Sequence, residues 1–298
     1  MKLVTVVIPC FNSGATLSQT VESVKAQSYE NIEIIIVDDG SNDALTITAI
    51  DRLSGVRVIR QKNAGLPAAR NIGFSEARGE YVLPLDADDW LEADAVAQLT
   101  ATLEINQQFA FVFSHIQLEG ESSGVLKKSY NFFEQLFSNQ MPYAILIRRA
   151  IWEDIGGYDE TMRKGYEDWE FNIRLGGSGH YGAVVPKPLF HYRVASTGML
   201  LARSNQLHGE LWSDIQSRNE SIYRISSLLT LWSVWRLKPC TYPLLVYFFW
   251  LTIHRILTPK IFSFLFRFLR KQSHSHRVTR RVIKVDAGSV SSRDSGKL

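Results

Sequence analysis

Two short apolar runs, each ending in carboxylates, constrain this chain more than any other feature. Ile34, Ile35, Ile36 and Val37 lead into Asp38 and Asp39. Tyr81, Val82, Leu83, Pro84 and Leu85 lead into Asp86, Asp88 and Asp89. Runs of this length and character fit strands buried on both faces, as in a parallel sheet. Ligands of open α/β sheets bind beyond the carboxyl ends of the strands. Acids delivered there by two strands of one sheet converge on one cleft. Crowded carboxylates resist ionising together unless a cation joins them. A divalent metal holding a polyphosphate resolves that conflict most simply.

The surrounding sequence alternates in the same style. Strands are predicted at 3–9, 32–37, 56–59, 80–85 and 109–114, with a helical stretch opened by Ser13-Gly14, its Leu17, Val21 and Val24 spaced i, i+4, i+7, and helices over 44–53, 66–77 and 91–105. Such alternation argues for a doubly wound, mostly parallel sheet flanked by helices. Beyond residue 115 the pattern loosens. Residues 117–129 read as a loop or edge hairpin, 144–147 as a strand followed by a short helix near Ile151, and 166–175 as a helix. Residues 181–185 and 189–193 read as short strands, and 207–235 as mostly helical. Gly177-Ser178-Gly179-His180-Tyr181-Gly182 satisfies G-x-G-x-x-G but follows a helix and precedes a strand, the reverse of the dinucleotide-binding context.

Composition separates the chain into parts. Residues 1–220 carry 19 Lys and Arg against 28 Asp and Glu, a net −9. Residues 221–298 carry 14 against 2, a net +12. An acidic catalytic body over 1–220, an aromatic-rich basic helical appendage over 221–272 and a flexible basic tail over 273–298 are expected. Cys10 and Cys240 form neither metal-ligand spacing nor a disulfide framework, and Met1-Lys2 leads directly into a strand-like run. A cytoplasmic location is the expectation.

At this point the residues resemble a known family. Val6-Val7-Ile8-Pro9-Cys10-Phe11-Asn12, then Ile36-Val37-Asp38-Asp39-Gly40-Ser41, is similar to the opening of a family 2 glycosyltransferase. Asn63-Ala64-Gly65, Ala69-Arg70-Asn71-Ile72-Gly73, Leu85-Asp86-Ala87-Asp88-Asp89, Gly156-Gly157-Tyr158-Asp159-Glu160 and Tyr166-Glu167-Asp168-Trp169 continue it in the family's order. Each block is weak alone; the ordered set, spanning about residues 3–195, is specific. The resemblance implies a GT-A fold, a nucleotide-sugar donor, a divalent metal (Mg²⁺ or Mn²⁺) and inversion at the anomeric carbon.

It also implies roles. Pro9, Asn12, Asp39, Asn63, Gly65, Arg70 and Asp86 are the expected nucleotide-sugar contacts. Asp39 would accept from the base, as a carboxylate at a strand end suits an N–H donor; turn-and-cap duty is its alternative. Gly65 would allow close backbone approach. Arg70 would reach base, ribose or diphosphate, or else pair with an acid inside the fold. Asp86-Ala87-Asp88 is similar to the family's DxD motif; alternate residues of an extended segment face one way. Asp88 would bind the metal, Asp86 the ribose or metal, and Asp89 would assist either. Asp168 is the expected general base, with Glu167 positioning it or touching acceptor, and Trp169 either stacking on a sugar or filling core. A helix first turn also attracts acids for electrostatic reasons alone. His191-Tyr192-Arg193 lies where diphosphate or acceptor contacts often occur in such enzymes.

The C-terminal part points to a surface. In residues 261–271, Ile261, Phe262, Phe264, Leu265, Phe266, Phe268 and Leu269 occupy a face of roughly 200°, with Ser263, Arg267, Arg270 and Lys271 on the remainder. That is the form of a basic helix lying in a membrane interface. Trp232, Trp235 and Trp250 fit interfacial positions. The uncharged run 242–253 falls short of the roughly 20 residues needed to span. A peripheral position on the inner face of the plasma membrane, with a lipid-linked or cell-envelope glycan as acceptor, is the expectation; packing on the catalytic domain is the alternative. No nucleic-acid module is discernible. A nucleotidyltransferase or a non-catalytic nucleotide-sugar or glycan-binding module are the rival readings.

Overall fold

A computed structural model describes residues 1–195 and 206–268. Strands β1 (Val4–Cys10), β2 (Ile32–Asp38), β3 (Arg57–Arg60) and β4 (Tyr81–Pro84) form a parallel block in the order β3-β2-β1-β4. Every residue of β1 is buried, so its sequence has no need to alternate polar with apolar. Cys10 pairs in register with Asp38, which brings the chain after β1 level with Asp39 at the carboxyl edge.

Helices α1 (Leu17–Lys25), α2 (Ala44–Asp51) and α3 (Leu66–Ser75) connect these strands, and with α4 (Ala95–Ile105), which follows β4, they cover the sheet's faces. Val6 and Ile8 of β1 join one apolar cluster with Leu17, Val21 and Leu99; Val7 joins a second with Ala69 and Phe74. That split follows from strand geometry, in which successive side chains leave opposite faces. On α3, a Cβ at Gly73 would come within 2.2 Å of Val7 Cγ1, so the missing side chain is what lets the helix lie against β1.

Past β4 the sheet becomes mixed. β8 (Leu146–Arg148) runs antiparallel to β4 and to β6 (Phe111–Gly120). β9 (Gly182–Val194) runs parallel to β6, and β5 (Trp90–Leu91) antiparallel to β9. β7 (Gly124–Leu126) closes a hairpin on β6, as expected for the 117–129 region. Two expectations are corrected here, and one element is new. The helix expected from 91 starts at Ala95, because Trp90 and Leu91 pair with β9 and Trp90 stacks on His191 at 4.9 Å. The two strands expected over 181–193 are one strand, with register shifts between Ser114 and Ile116 of its partner. A short helix α5 (Phe132–Gln135) was not anticipated; the Asn131 side chain caps it by accepting from the Phe133 and Glu134 N–H groups.

Helices α6 (Arg149–Ile155) and α7 (Glu167–Gly177) precede β9. The C-terminal part adds α8 (His208–Arg218), α9 (Ile225–Trp235), α10 (Leu244–Ile256) and a helix over 259–268. This part packs on the body. Trp212, Trp235, Tyr247 and Phe262 share an apolar cluster with Phe132 and Phe133 of α5 and Trp169 of α7. The buried Glu134 carboxylate accepts from the Thr241 N–H and from the Thr241 and Tyr247 hydroxyls. Trp235 lies in that core against Tyr130 and Tyr181, which corrects its interfacial assignment. Ser263 also turns inward, its hydroxyl accepting from the Gly209 N–H at 2.8 Å, so the face drawn for 261–271 is split in two. Residues 269–271 and the tail 273–298 lie outside the described residues. No described helix is long and apolar enough to cross a membrane.

Candidate active site

The carboxyl edge of the parallel block is where the sequence-predicted residues gather. Pro9 is buried within β1, opposite Val37 of β2. Just beyond it, Asn12 takes φ +52°, a conformation Asn tolerates better than most residues. Its amide links the loops after β1 and β2, donating to Asn42 Oδ1 and accepting from the Asn42 N–H, both at 3.0 Å. Asp38 caps the turn after β2, its Oδ1 accepting from the Ser41 N–H.

Asp39 is buried and organises the segment that follows β3. Oδ1 accepts from Gln61 Nε2 at 2.7 Å and from the Ala64 N–H at 2.8 Å; Oδ2 accepts from the Gly65 N–H at 2.9 Å. A carboxylate has about four lone-pair sites, so little capacity remains beyond these three bonds. Gly65 has φ +96° and opens α3, and a Cβ there would lie 3.3 Å from Arg163 Cγ. The loop before α7 therefore passes close to the loop that Asp39 holds. Asn63 is exposed beside it.

Arg70 on α3 is the hub. It is 1% exposed. Its NH1 donates to Glu167 Oε1 and its NH2 to Asp86 Oδ1, both at 2.8 Å. The guanidinium lies over the Tyr143 ring at 4.9 Å and the Tyr158 ring at 5.6 Å. The two carboxylates hold its pKa up against burial. A guanidinium so enclosed pairs inside the fold, which was the alternative reading of this residue. One buried polar atom of the cluster, Arg70 Nε, has no partner among the described residues.

Asp86, Asp88 and Asp89 sit in a turn after β4, not in the extended segment expected for alternate acids. They face different ways. Asp86 meets Arg70. Asp89 turns inward, with Oδ2 accepting from the Tyr143 hydroxyl at 2.5 Å and Oδ1 from the Arg193 N–H at 2.7 Å. Burial, then the charges of Asp88 and Asp86, push its carboxyl well above the usual range. Asp89 thus pins β9 to the turn, and its expected part in metal or ribose binding is corrected to a positioning one. Asp88 remains open to solvent at its rim. Partial desolvation by the surrounding protein, then the Asp86 charge, raise its carboxyl to about 6.

Glu167 and Asp168 open α7. The preceding Tyr166 takes φ +66°, an uncommon conformation for a bulky residue, at the turn that delivers both acids. Burial lifts the Glu167 carboxyl to about 7, with Arg70 opposing and Asp168 adding to the rise. Asp168 is half-buried, and its Oδ2 accepts from Asn139 Nδ2 at 2.8 Å. Burial raises it too, against the pull of Arg70 and the Asn139 bond. Trp169 is core, its Nε1 donating to the Gln135 carbonyl at 2.5 Å, so sugar stacking is corrected for this residue.

The acids from the two segments act on shared neighbours. Tyr192 is raised by burial and then by Asp89, Asp86, Asp88 and Asp168 together. Tyr158 is raised by burial, with Arg70 opposing and Asp168, Glu167 and Asp86 adding. Tyr143 and Asn139, which the sequence reading missed, support the site, together with Tyr158 of the Gly156–Glu160 block and Arg193. Arg193 also donates to the Asp88 carbonyl and to Gln19. Nothing local in sequence marks Tyr143 or Asn139; only the fold brings them here.

Comparison with known proteins settles the family. A profile described as "Glycosyl transferase family 2" matches residues 5–166, more than half the chain. The chain belongs to glycosyl transferase family 2. It is 31% identical to the glycosyltransferase GlyG of Streptococcus pneumoniae over 57% of this chain and 52% of that protein. It is 34% identical to GlyA of the same organism over 46% of this chain and 20% of that one. The chain thus spans about half of GlyG and a fifth of GlyA. Among solved structures it resembles S. aureus TarS residues 1–349 in complex with UDP-GlcNAc, with a TM-score of 0.59 at 19% identity, covering 72% of this chain and 66% of that one. The complex of the same fragment with UDP gives a TM-score of 0.54. These likenesses establish the GT-A fold.

A divalent metal fits the donors present only if substrate completes its shell. Among the described residues no group of three His, Cys, Asp or Glu gathers to hold a metal ion. Asp89 is committed inward and Asp86 gives one oxygen to Arg70. The Asp88 carboxylate, exposed at the turn and raised first by partial desolvation and then by Asp86, is the oxygen donor these contacts leave available. Mg²⁺ in particular binds through one or two carboxylates plus substrate phosphates, and such a site needs no protein cage.

Proposed function

We propose that this chain moves a sugar from a nucleotide-sugar, a UDP-sugar foremost, to an acceptor hydroxyl with inversion at the anomeric carbon. The observation that carries the reading is Arg70, which bonds at once to Asp86 of the donor-side turn and Glu167 of the base helix. One guanidinium thereby fixes the distance between leaving-group and acceptor sides. Fixed geometry of this kind lowers the entropic part of a displacement barrier.

Asp168 takes the proton from the attacking hydroxyl. Its raised pKa makes it a stronger base than an ordinary carboxylate, and Asn139 holds one oxygen so that the other is presented. Glu167 sets its height through the Arg70 bond. Asp88, with Asp86, would hold Mg²⁺ or Mn²⁺ against the donor diphosphate; when bound, the ion supplies charge stabilisation for the departing nucleotide. The loops carrying Asn12, Asp39, Asn63 and Gly65 line the nucleotide side. The acceptor class we favour is a lipid-linked or cell-envelope glycan, supported by the basic C-terminal part.

The test is calorimetric titration of UDP and UDP-sugars with and without Mn²⁺, followed by assay of UDP release. Wild type should bind UDP more tightly with Mn²⁺, and Asp88→Ala should lose that increment. Release of pyrophosphate in place of UDP would mark a nucleotidyltransferase. Binding without turnover on any acceptor glycan would favour a non-catalytic module.

A further inference from the structure

Among the described residues, the C-terminal helices leave an apolar face uncovered. α10 turns Tyr247, Leu251 and His254 inward. On its other side Leu245 is 80% exposed, Phe249 53% and Ile256 71%. Offsets of four and seven residues put these in one line along the helix. The helix over 259–268 repeats the arrangement, with Phe262 and Ser263 inward and Ile261, Phe264 and Phe268 outward. The two helices are neighbours, since Trp250 packs edge-on against Phe262 and Phe266 at 5.8 and 5.6 Å. Both outward lines therefore turn away from the shared core. Exposed apolar lines on two neighbouring helices mark an interaction site.

Charge identifies the occupant. From residue 221 to 285 the chain has no Asp or Glu and 12 Lys and Arg. Arg236, Lys238, Arg255, Lys260 and Arg267 are all exposed. A second copy meeting this face with the same face would bring like charge against like. A nucleic acid would leave the aromatic and aliphatic side chains wet. An anionic bilayer accommodates both, with apolar side chains at the headgroup–acyl boundary and cations at the lipid phosphates.

We propose that α10 and the helix over 259–268 lie in the interface of an anionic membrane, without spanning it. The inference stands apart from the glycosyl transfer proposed above, although it suits a lipid-linked acceptor. A continuous ring stack joins the two regions. Trp169 of α7, beside Asp168, stacks on His208 at 6.1 Å, and His208 stacks on Phe266 at 3.9 Å.

The test is flotation of the full chain with vesicles of phosphatidylcholine mixed with phosphatidylglycerol, against pure phosphatidylcholine. Wild type should float with the anionic vesicles and far less with the neutral ones. L245E/F249E, both at exposed sites, should partition at least roughly tenfold more weakly. UDP binding measured on the same samples separates failure of docking from failure of the glycosyltransferase reading. Absence of flotation, or equal flotation of wild type and variant, overturns the proposal. So does a wild-type dimer by ultracentrifugation that the double substitution converts to monomer, since the face would then be covered by a second copy.

Discussion

Replacing Arg70 by Met tests the reasoning about the site most severely. The methionine fills much of the same volume but offers no donor to Asp86 or Glu167. Two charge-assisted bonds at 2.8 Å disappear, and Glu167 is left beside Asp168 with no cation. Breaking a buried pair by removing one partner costs about 3–5 kcal/mol. Glu167 can limit the loss by taking up a proton, because its carboxyl already stands at about 7. The low end of the range is therefore expected near pH 6, and the high end above pH 8.

The sign follows from linkage. An acid whose folded-state pKa lies above its unfolded value, about 4.3, keeps a proton that the unfolded chain has lost. Stability from that proton is present at low pH and falls as pH rises from about 4.3 through the folded value near 7. Without Arg70 the folded value moves higher, so the decline should continue further into the alkaline range. Urea unfolding followed by tryptophan fluorescence, repeated across pH, measures this. R70M/E167Q should recover part of the loss, with a coupling energy above about 1 kcal/mol. A single Met variant as stable as wild type at pH 8, or a double variant no better than R70M, would refute the account of Arg70 as the hub.

Other outcomes follow from the same geometry. Asp168→Asn should keep UDP affinity yet lose about 10²- to 10⁴-fold in turnover, read by UDP release with saturating donor; near-normal turnover removes it as the base. Asn139→Ala should lower turnover while leaving donor affinity intact, and should shift the pH profile of turnover, because it frees the second Asp168 oxygen. Far from the site, buried Glu33 accepts from the Thr5 hydroxyl at 2.7 Å and from the Arg78 N–H and guanidinium. Burial pushes its carboxyl up, but those bonds outweigh it and leave the pKa low. Glu33→Gln should cost about 1–3 kcal/mol at neutral pH. The cost should vanish as pH falls through the lowered folded value, since a depressed acid stabilises only above it.

The sequence by itself determined the parts of this protein that depend on local pattern. The apolar runs, the acids at their ends, the parallel block and the order of the family's blocks were all legible, because strand burial and helix periodicity are written in neighbouring residues. What was not legible depends on which distant segments meet. Arg70 and Glu167 are 97 positions apart, and whether that guanidinium reaches a nucleotide or an internal acid is decided by how α3 and α7 stand over the sheet. The inward turn of Asp89 requires Tyr143 and β9. Trp169 became core where the C-terminal helices pack on α7, and Trp235 became core where its own helix α9 packs on the body. A residue type states what bonds a side chain can make. The tertiary structure states which partner is within 3 Å, and in a buried site with few alternatives that proximity decides the chemistry.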